Sequence, residues 1–309
     1  MGSLLVLGLI LYIISFFVAS KIVFTIILRR TSKEKWSRDV PSDLAPDSVT
    51  MYNEGVAWAN DNINHKKDVH VVNNGLNLYG EYYDFGFDCC AFILSGRTEA
   101  LKYSYYFAQS YYKKCNVLVV DPRAHGLSDG EFNTVGFEES KDIIAWVKYI
   151  HDEFNIKSFV FHGICIGAAG GILALTNEEC PSYVKGIVTE GMFANFALSL
   201  ENHLKERNKP AKSITKLMNR LFKKHTGHDM YYGPIDIIDK LDVPLLMLHS
   251  KEDTYSTPDY AIKLFEKAKT NIKKIVWFDH GRHSFLRITD TELYNKSIED
   301  FLENTLEFK

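Results

Sequence analysis

The sequence predicts an α/β fold, a mostly parallel sheet with helices on both faces, on three observations. Five short, near-continuous apolar runs, Cys90–Leu94, Val117–Val120, Phe159–Phe161, Val184–Val188 and Leu245–Leu248, have the composition of strands buried on both faces. Between them, segments at 99–112, 138–153, 166–176, 258–269 and 291–303 place apolar residues at three- and four-residue intervals, the period of a packed helix. One strand-like run, Ser158 to His162, passes through Gly163-Ile164-Cys165-Ile166-Gly167 directly into a small-residue helix, a sharp strand-to-helix turn.

In chain order, the first thirty residues stand apart. Leu4 to Leu28 is apolar except for a few hydroxyls and Lys21, long enough to cross a ~30 Å hydrocarbon core, so 1–30 reads as a transmembrane anchor and the membrane as a partner. A cleaved signal peptide competes, with Val18-Ala19-Ser20 as its cleavage site. That reading lacks a basic n-region and would leave Ile22 to Leu28 as an apolar new terminus. Arg29, Arg30, Lys33, Lys35 and Arg38 follow, a cluster that the positive-inside rule places on the cytoplasmic side. Met1 to Ser3 offers almost no opposing charge, so an outward-facing domain stays open beside the single-pass, cytoplasm-leaning orientation.

Residues 31–67, with Pro41, Pro46 and one short helix around 53–62, read as a juxtamembrane linker packed on the domain edge. The domain proper then occupies 68–309. It opens on a hairpin, Val69–Val72 and Leu76–Tyr82 alternating in polarity around Asn73-Asn74-Gly75. After the strand–helix alternation is established, the segment at about 193–230 interrupts it with two lysine-rich helical stretches and no strand, which predicts a small cap outside the sheet. Its lysines, such as Lys205, Lys212 and Lys224, suit a solvated or membrane-facing surface.

Composition narrows the function. The chain's 309 residues are 46% hydrophobic with a net charge of -3, enough for a buried core and without the basic face of a nucleic-acid binder. Five cysteines, two adjacent in the apolar run at Cys89-Cys90, form no disulfide framework. No phosphate-cradling glycine loop or Walker-type lysine is present, so no cofactor is expected. His225, His228 and Asp229 have ligand-like spacing but are too few for a zinc site, and no metal is expected.

The Gly-x-Cys-x-Gly turn has the spacing of a nucleophile elbow with cysteine where serine is usual. Three further motifs accompany it: Asp121-Pro122-Arg123-Ala124-His125-Gly126-Leu127-Ser128-Asp129-Gly130 after a strand, Leu248 to Thr254 with an acid beyond a strand end, and Gly281-Arg282-His283-Ser284-Phe285. Together they resemble the α/β-hydrolases, and more closely the membrane-anchored bacterial hydrolases grouped with serine aminopeptidases and related esterases, over about Asp68 to the C-terminus.

The resemblance implies an α/β-hydrolase fold in which Cys165 is the nucleophile position, Asp253 the orienting acid and His283 the general base. It also implies an oxyanion hole from the backbone N–H groups of Ile166 and Arg97. A free thiol titrates near ~8.5 and is mostly protonated at neutral pH, so a cysteine nucleophile needs an imidazole or cation beside it. Where many relatives carry His-Gly, this chain reads Ser95-Gly96-Arg97-Thr98-Glu99, and the Arg97 side chain is expected to pair with Glu99 at the surface, with a cation beside the acyl oxygen as the alternative. Cys165 also reads as a buried thiol in a site that has lost its serine, Asp253 as a turn carboxylate, His280 as a rival to His283, and Glu190 as an alternative acid.

The implied function is hydrolysis of carboxylic ester, thioester or amide bonds of a small-molecule acyl substrate. The alternatives are acyl transfer, or a non-catalytic protein binding an acyl or lipid-like ligand or a protein partner at the membrane.

Overall fold

The computed structural model describes residues 2–39 and 45–305, so Met1, Pro41 and the last four residues lie outside the described chain. Its eight strands are β1 (Lys66–Asn73), β2 (Leu76–Tyr83), β3 (Cys89–Leu94), β4 (Asn116–Val120), β5 (Ser158–Ile164), β6 (Val184–Glu190), β7 (Leu245–Ser250) and β8 (Lys273–Phe278). They form one sheet in the order β1-β2-β4-β3-β5-β6-β7-β8. The β1–β2 and β2–β4 pairs are antiparallel and every later pair is parallel. Asn74 and Gly75 both take positive φ, 49° and 77°, between the paired Asn73 and Leu76. A two-residue turn of that handedness matches the twist of the hairpin it closes.

The helices are α1 (Gly2–Leu28), α2 (Pro46–Asp61), α3 (Leu101–Ala108), α4 (Phe137–Phe154), α5 (Ile166–Leu175), α6 (Phe196–Glu206), α7 (Ala211–Thr226), α8 (Pro234–Ile237), α9 (Pro258–Lys267), α10 (Leu286–Thr289) and α11 (Thr291–Thr305). Strand side chains alternate between two cores, as a period of two requires. Cys90, Phe92, Leu94, Phe159 and Phe161 pack with Ile143 and Trp146 of α4, Ile172 of α5 and Leu264 of α9. Ala91, Ile93, Val160 and Ile164 pack on the other face with Trp58 of α2, Leu101 of α3 and Ile298 and Phe301 of α11. Helices therefore cover both faces of the sheet.

A third apolar cluster lies above the strands' carboxyl ends, where α6 and α7 fold over Val135, Ile166 and Phe193. The base of α1 belongs to it, with Phe24 and Leu28 buried beside Met218 and Phe222 of α7. Farther up α1 the apolar side chains turn outward, Leu5, Leu11, Phe17 and Ile22 among them. Among the described residues α1 is the one helix long and apolar enough to cross a membrane.

The exit from α1 is fastened to the domain. Arg30 donates to the carbonyls of Gly126 (2.7 Å) and Ser128 (3.0 Å), and Trp36 stacks on His125 at 4.6 Å between ring centroids. Arg38 pairs with the buried Asp121 at 2.7 Å. The Asp121–Gly130 loop is thus the platform on which the chain leaving α1 rests.

Candidate active site

Each candidate residue stands at the carboxyl end of a parallel strand, where the loops of an open α/β sheet converge. Cys165 lies between β5 and α5 with φ 53° and ψ −108°, outside the ordinary regions for a residue with a side chain. The glycines around it are required by close backbone approach. A Cβ on Gly163 would lie 2.4 Å from Ala168 Cα, and one on Gly167 would lie 2.0 Å from the carbonyl oxygen of Leu94. The second contact presses the start of α5 against the end of β3, which brings the Gly96-Arg97 loop beside the elbow. The N–H of Ile166, in the first turn of α5, has no intrahelical acceptor.

Asp253 follows β7 and His283 follows β8. His283 donates from Nδ1 to Asp253 Oδ2 at 2.7 Å, and the other oxygen of Asp253 accepts the N–H groups of Tyr255 (2.9 Å) and Ser256 (2.8 Å). These bonds set the carboxylate against the imidazole. Cys165 lines the same cavity as His283, near enough for its sulfur to act on the imidazole charge. Burial works against a charged His283, yet the charges of Asp253 and Cys165 outweigh it and raise its pKa well above the ordinary range. Asp253 is itself held below the usual carboxylate range; burial opposes this, and His283 and His249 prevail. His280 is exposed and pairs with Glu252 at 3.1 Å, away from this chain of bonds.

Glu190 has a different task. Its carboxyl, fully buried at the end of β6, accepts the N–H of Leu286 (2.9 Å) and the hydroxyl of Tyr294 (2.5 Å). It anchors the segment after His283 and makes no bond to the imidazole. The next residue, Gly191, has φ 58°, and a Cβ there would stand 3.0 Å from Nδ1 and Cε1 of His283. Gly191 leaves the imidazole its room.

A cavity of about 340 Å³ opens over Cys165 and His283, walled by Arg97, Glu99, Phe196, His203, Tyr255 and Ile27. The expected Arg97–Glu99 surface pair is not formed. Arg97 turns into the cavity and donates Nη1 to the carbonyl of Ile27 at the foot of α1 (3.3 Å), while the Glu99 carboxylate accepts the N–H of Gly96 (2.8 Å). The cause is cover: α1 and α6 roof a loop that local sequence leaves at the surface. Enclosure pushes the Glu99 carboxyl up to about 7 and lowers the Arg97 pKa. The carbonyl of Arg97 lies 2.6 Å from His125 Nε2, so the Asp121–Gly130 loop also steadies this strand end. An enclosed space of about 40 Å³ beneath Ile166 and Gly167 contains neither Cys165 nor His283.

The metal-like triplet on the cap disperses. His225 stacks on Phe24, His228 bonds Glu138 at 2.8 Å, and Asp229 accepts from Asn219 at 2.9 Å. Gly191, Tyr255 and Ile27 escaped the sequence reading, and Glu99, read as a surface residue, lines the cavity. Only Gly191, a glycine directly after a strand, carried a local signal.

The family described as alpha/beta hydrolase fold matches residues 92–231, the stretch from β3 through the elbow into the cap. With the sheet order and the elbow, this decides the architecture. The chain has the α/β-hydrolase fold. This α/β-hydrolase-fold chain is 27% identical over 218 residues, 70% of each sequence, to the uncharacterized protein YqkD of Bacillus subtilis (strain 168). In structure it is similar to an esterase of Pyrococcus furiosus, with a TM-score of 0.67 and 21% identity over 80% of this chain and 94% of that one. It is also similar to an acylaminoacyl peptidase of Pyrococcus horikoshii, with a TM-score of 0.57 and 17% identity over 78% of this chain and 42% of the peptidase.

Proposed function

We propose that this protein hydrolyses carboxylic ester, thioester or amide bonds through Cys165, His283 and Asp253, by way of an acyl-thioester intermediate. The observation that carries the reading is the Asp253–His283 hydrogen bond beside a cysteine on a strained elbow that opens on the same cavity. Despite burial, the Asp253 and Cys165 charges on either side of His283 favour its protonated form, and a cation beside a thiol is the setting in which cysteine nucleophiles act. Cys165 retains exposure to the cavity, as an attacking atom needs.

In this reading the Cys165 sulfur adds to the carbonyl carbon, and the carbonyl electron pair moves onto oxygen. The N–H groups of Ile166 and Arg97 then stabilise that oxyanion. Collapse expels the leaving alkoxide, thiolate or amine, which takes the Nε2 proton of His283. Water then attacks the thioester, gives a proton back to His283, and releases the acid and the restored cysteine. Asp253 holds the imidazole in one orientation throughout and stays ionised.

The test is turnover of p-nitrophenyl butyrate by the purified chain, with iodoacetamide labelling of Cys165 followed by peptide mapping. The expectation is a loss of about 10³-fold or more in kcat in Cys165→Ala and His283→Ala. Labelling of Cys165 at pH 7 is expected to slow about tenfold in His283→Ala, since the thiolate loses its imidazolium partner. Slow labelling in the unchanged protein together with absent turnover would move the assignment to a non-catalytic binder of an acyl ligand.

A further inference from the structure

Below the cavity over Cys165 lies a second, wider crevice of about 630 Å³, and the two share Ile27, Arg97, Thr98, His203 and Arg207. One wall of this crevice is α1 itself, through Val23, Ile26 and Ile27. Ile26 is 61% exposed and Ile22, one turn above it, is 52% exposed, whereas Leu28 on the opposite side is fully buried. The crevice mouth therefore lies where the outward apolar face of α1 meets the domain. Ile27 lines both the crevice and the cavity over Cys165, so an apolar wall leads from one to the other.

The remaining wall is cationic. Arg97 and Arg207 both border the crevice, and neither has a carboxylate within salt-bridge distance among the described residues. Lys35 also faces it and caps α1 by donating to the carbonyls of Thr25 (2.6 Å) and Arg29. Glu34 is the carboxylate lining the crevice, and Glu206 stands beside His203. His203, a cap residue on both cavities, is driven down to about 4 by burial and then by Arg207 and Arg97, so it adds no charge of its own. The half-buried guanidinium of Arg97 and the exposed one of Arg207, which bonds His203 rather than a carboxylate, border an apolar wall and favour a ligand that brings an anion and an aliphatic chain together.

We propose that the substrate of this site is a membrane-resident acyl amphiphile carrying an anionic group, its chain lying along α1 and its anion held between Arg97 and Arg207. This rests on the hydrolase reading for the bond cleaved but not for the binding itself, and the two are tested separately. In the binding arm, the full-length chain in dodecyl maltoside micelles is titrated calorimetrically with dodecyl phosphate, with inorganic phosphate and with dodecanol. Dodecyl phosphate is expected to bind at one saturable site at least about tenfold more tightly than either half alone. Arg207→Gln is expected to weaken it by about tenfold, and Arg207→Lys to restore most of the loss; Arg207 is exposed, and an unchanged melting curve shows that each variant is folded. Equal binding of dodecyl phosphate and inorganic phosphate would reduce the site to a simple anion pocket, and an unaffected Arg207→Gln variant would remove the guanidinium from it. Either result overturns the proposal.

In the catalytic arm, kcat/KM for 1-dodecanoyl-glycerol-3-phosphate is compared with that for 1-dodecanoyl-glycerol. The phosphate-bearing ester is expected to be favoured about tenfold, with the ratio falling toward one in Arg207→Gln. Turnover of neither ester, with the binding results intact, would remove the hydrolase reading and leave the ligand class standing. A preference for the neutral ester would overturn the ligand class while leaving the hydrolase reading in place.

Discussion

At Cys165 the backbone adopts a conformation that side chains rarely take, and two flanking glycines permit it, Gly163 by letting α5 start against β5 and Gly167 by letting α5 touch the end of β3. The turns that carry Cys165 and Asp253 were legible beyond buried apolar strands, whereas His283 was singled out by its motif and by the nucleophile, acid, histidine order of the resemblance, because the strand before it, β8, is too polar to announce itself. For Arg97 the sequence left a surface pair and a place in the site open, and local sequence could not choose, because its cover comes from α1 and α6, far away in the chain. Gly191 supplies the sharpest prediction at this scale. Gly191→Ala places a methyl 3.0 Å from the His283 ring at a positive φ, so the imidazole must shift. A displacement of that kind is expected to lower kcat about tenfold or more and to cost on the order of 1 kcal/mol of stability. Steady-state kinetics and urea unfolding on the same variant measure the two effects.

Elements differ in how clearly they announce themselves. The central strands were legible as continuous apolar runs, because both faces of a covered parallel sheet are dry. The edge strand β8 was absent from that set, since most of Lys273–Phe278 is only partly buried and two of its residues are lysines. Helix α2 starts at Pro46, seven residues earlier than its periodicity indicates, because proline is well suited to a first turn with no N–H to satisfy. Glu190 shows an element boundary at work: one buried carboxyl fastens β6 to the start of α10 and, through Tyr294, to α11. Glu190→Ala is expected to destabilise the protein by about 2–4 kcal/mol, since it leaves a buried N–H and a buried hydroxyl unsatisfied. Glu190→Gln keeps an acceptor and is expected to lose less, and chemical denaturation of both variants tests the difference.

Across the whole molecule, the site is completed by parts that are remote in the chain. The foot of α1, the cap and the loops after β3, β7 and β8 enclose a cavity over the sheet's carboxyl edge, and the Asp121–Gly130 loop holds the Arg97 backbone in place through His125. Enclosure has a titration signature. Burial pushes Glu99 up to about 7, so the folded chain keeps a proton that an unfolded glutamate releases near ~4.3. Where the native state binds the extra proton, stability falls as pH rises. Stability is therefore expected to be fullest below ~4.3 as far as this group is concerned, and to decline by on the order of 2 kcal/mol as pH rises through 7. Glu99→Gln is expected to remove that slope and to raise the melting temperature above pH 7. Melting curves of the two proteins between pH 5 and pH 8 decide it, and parallel curves would exclude a buried, protonated Glu99.

The sequence alone determined the α/β class, the parallel sheet and the placement of Cys165 on a turn between a buried strand and a helix. Those features depend on local periodicity and on which residue types tolerate a sharp turn, and both are written in neighbouring residues. Tertiary structure alone decided that Arg97 and Glu99 face a cavity, that Gly191 makes room for His283, and that α1 forms a wall of the site. Burial and local field are set by whatever packs overhead. Here that cover comes from helices about seventy residues before and a hundred after the loop they enclose.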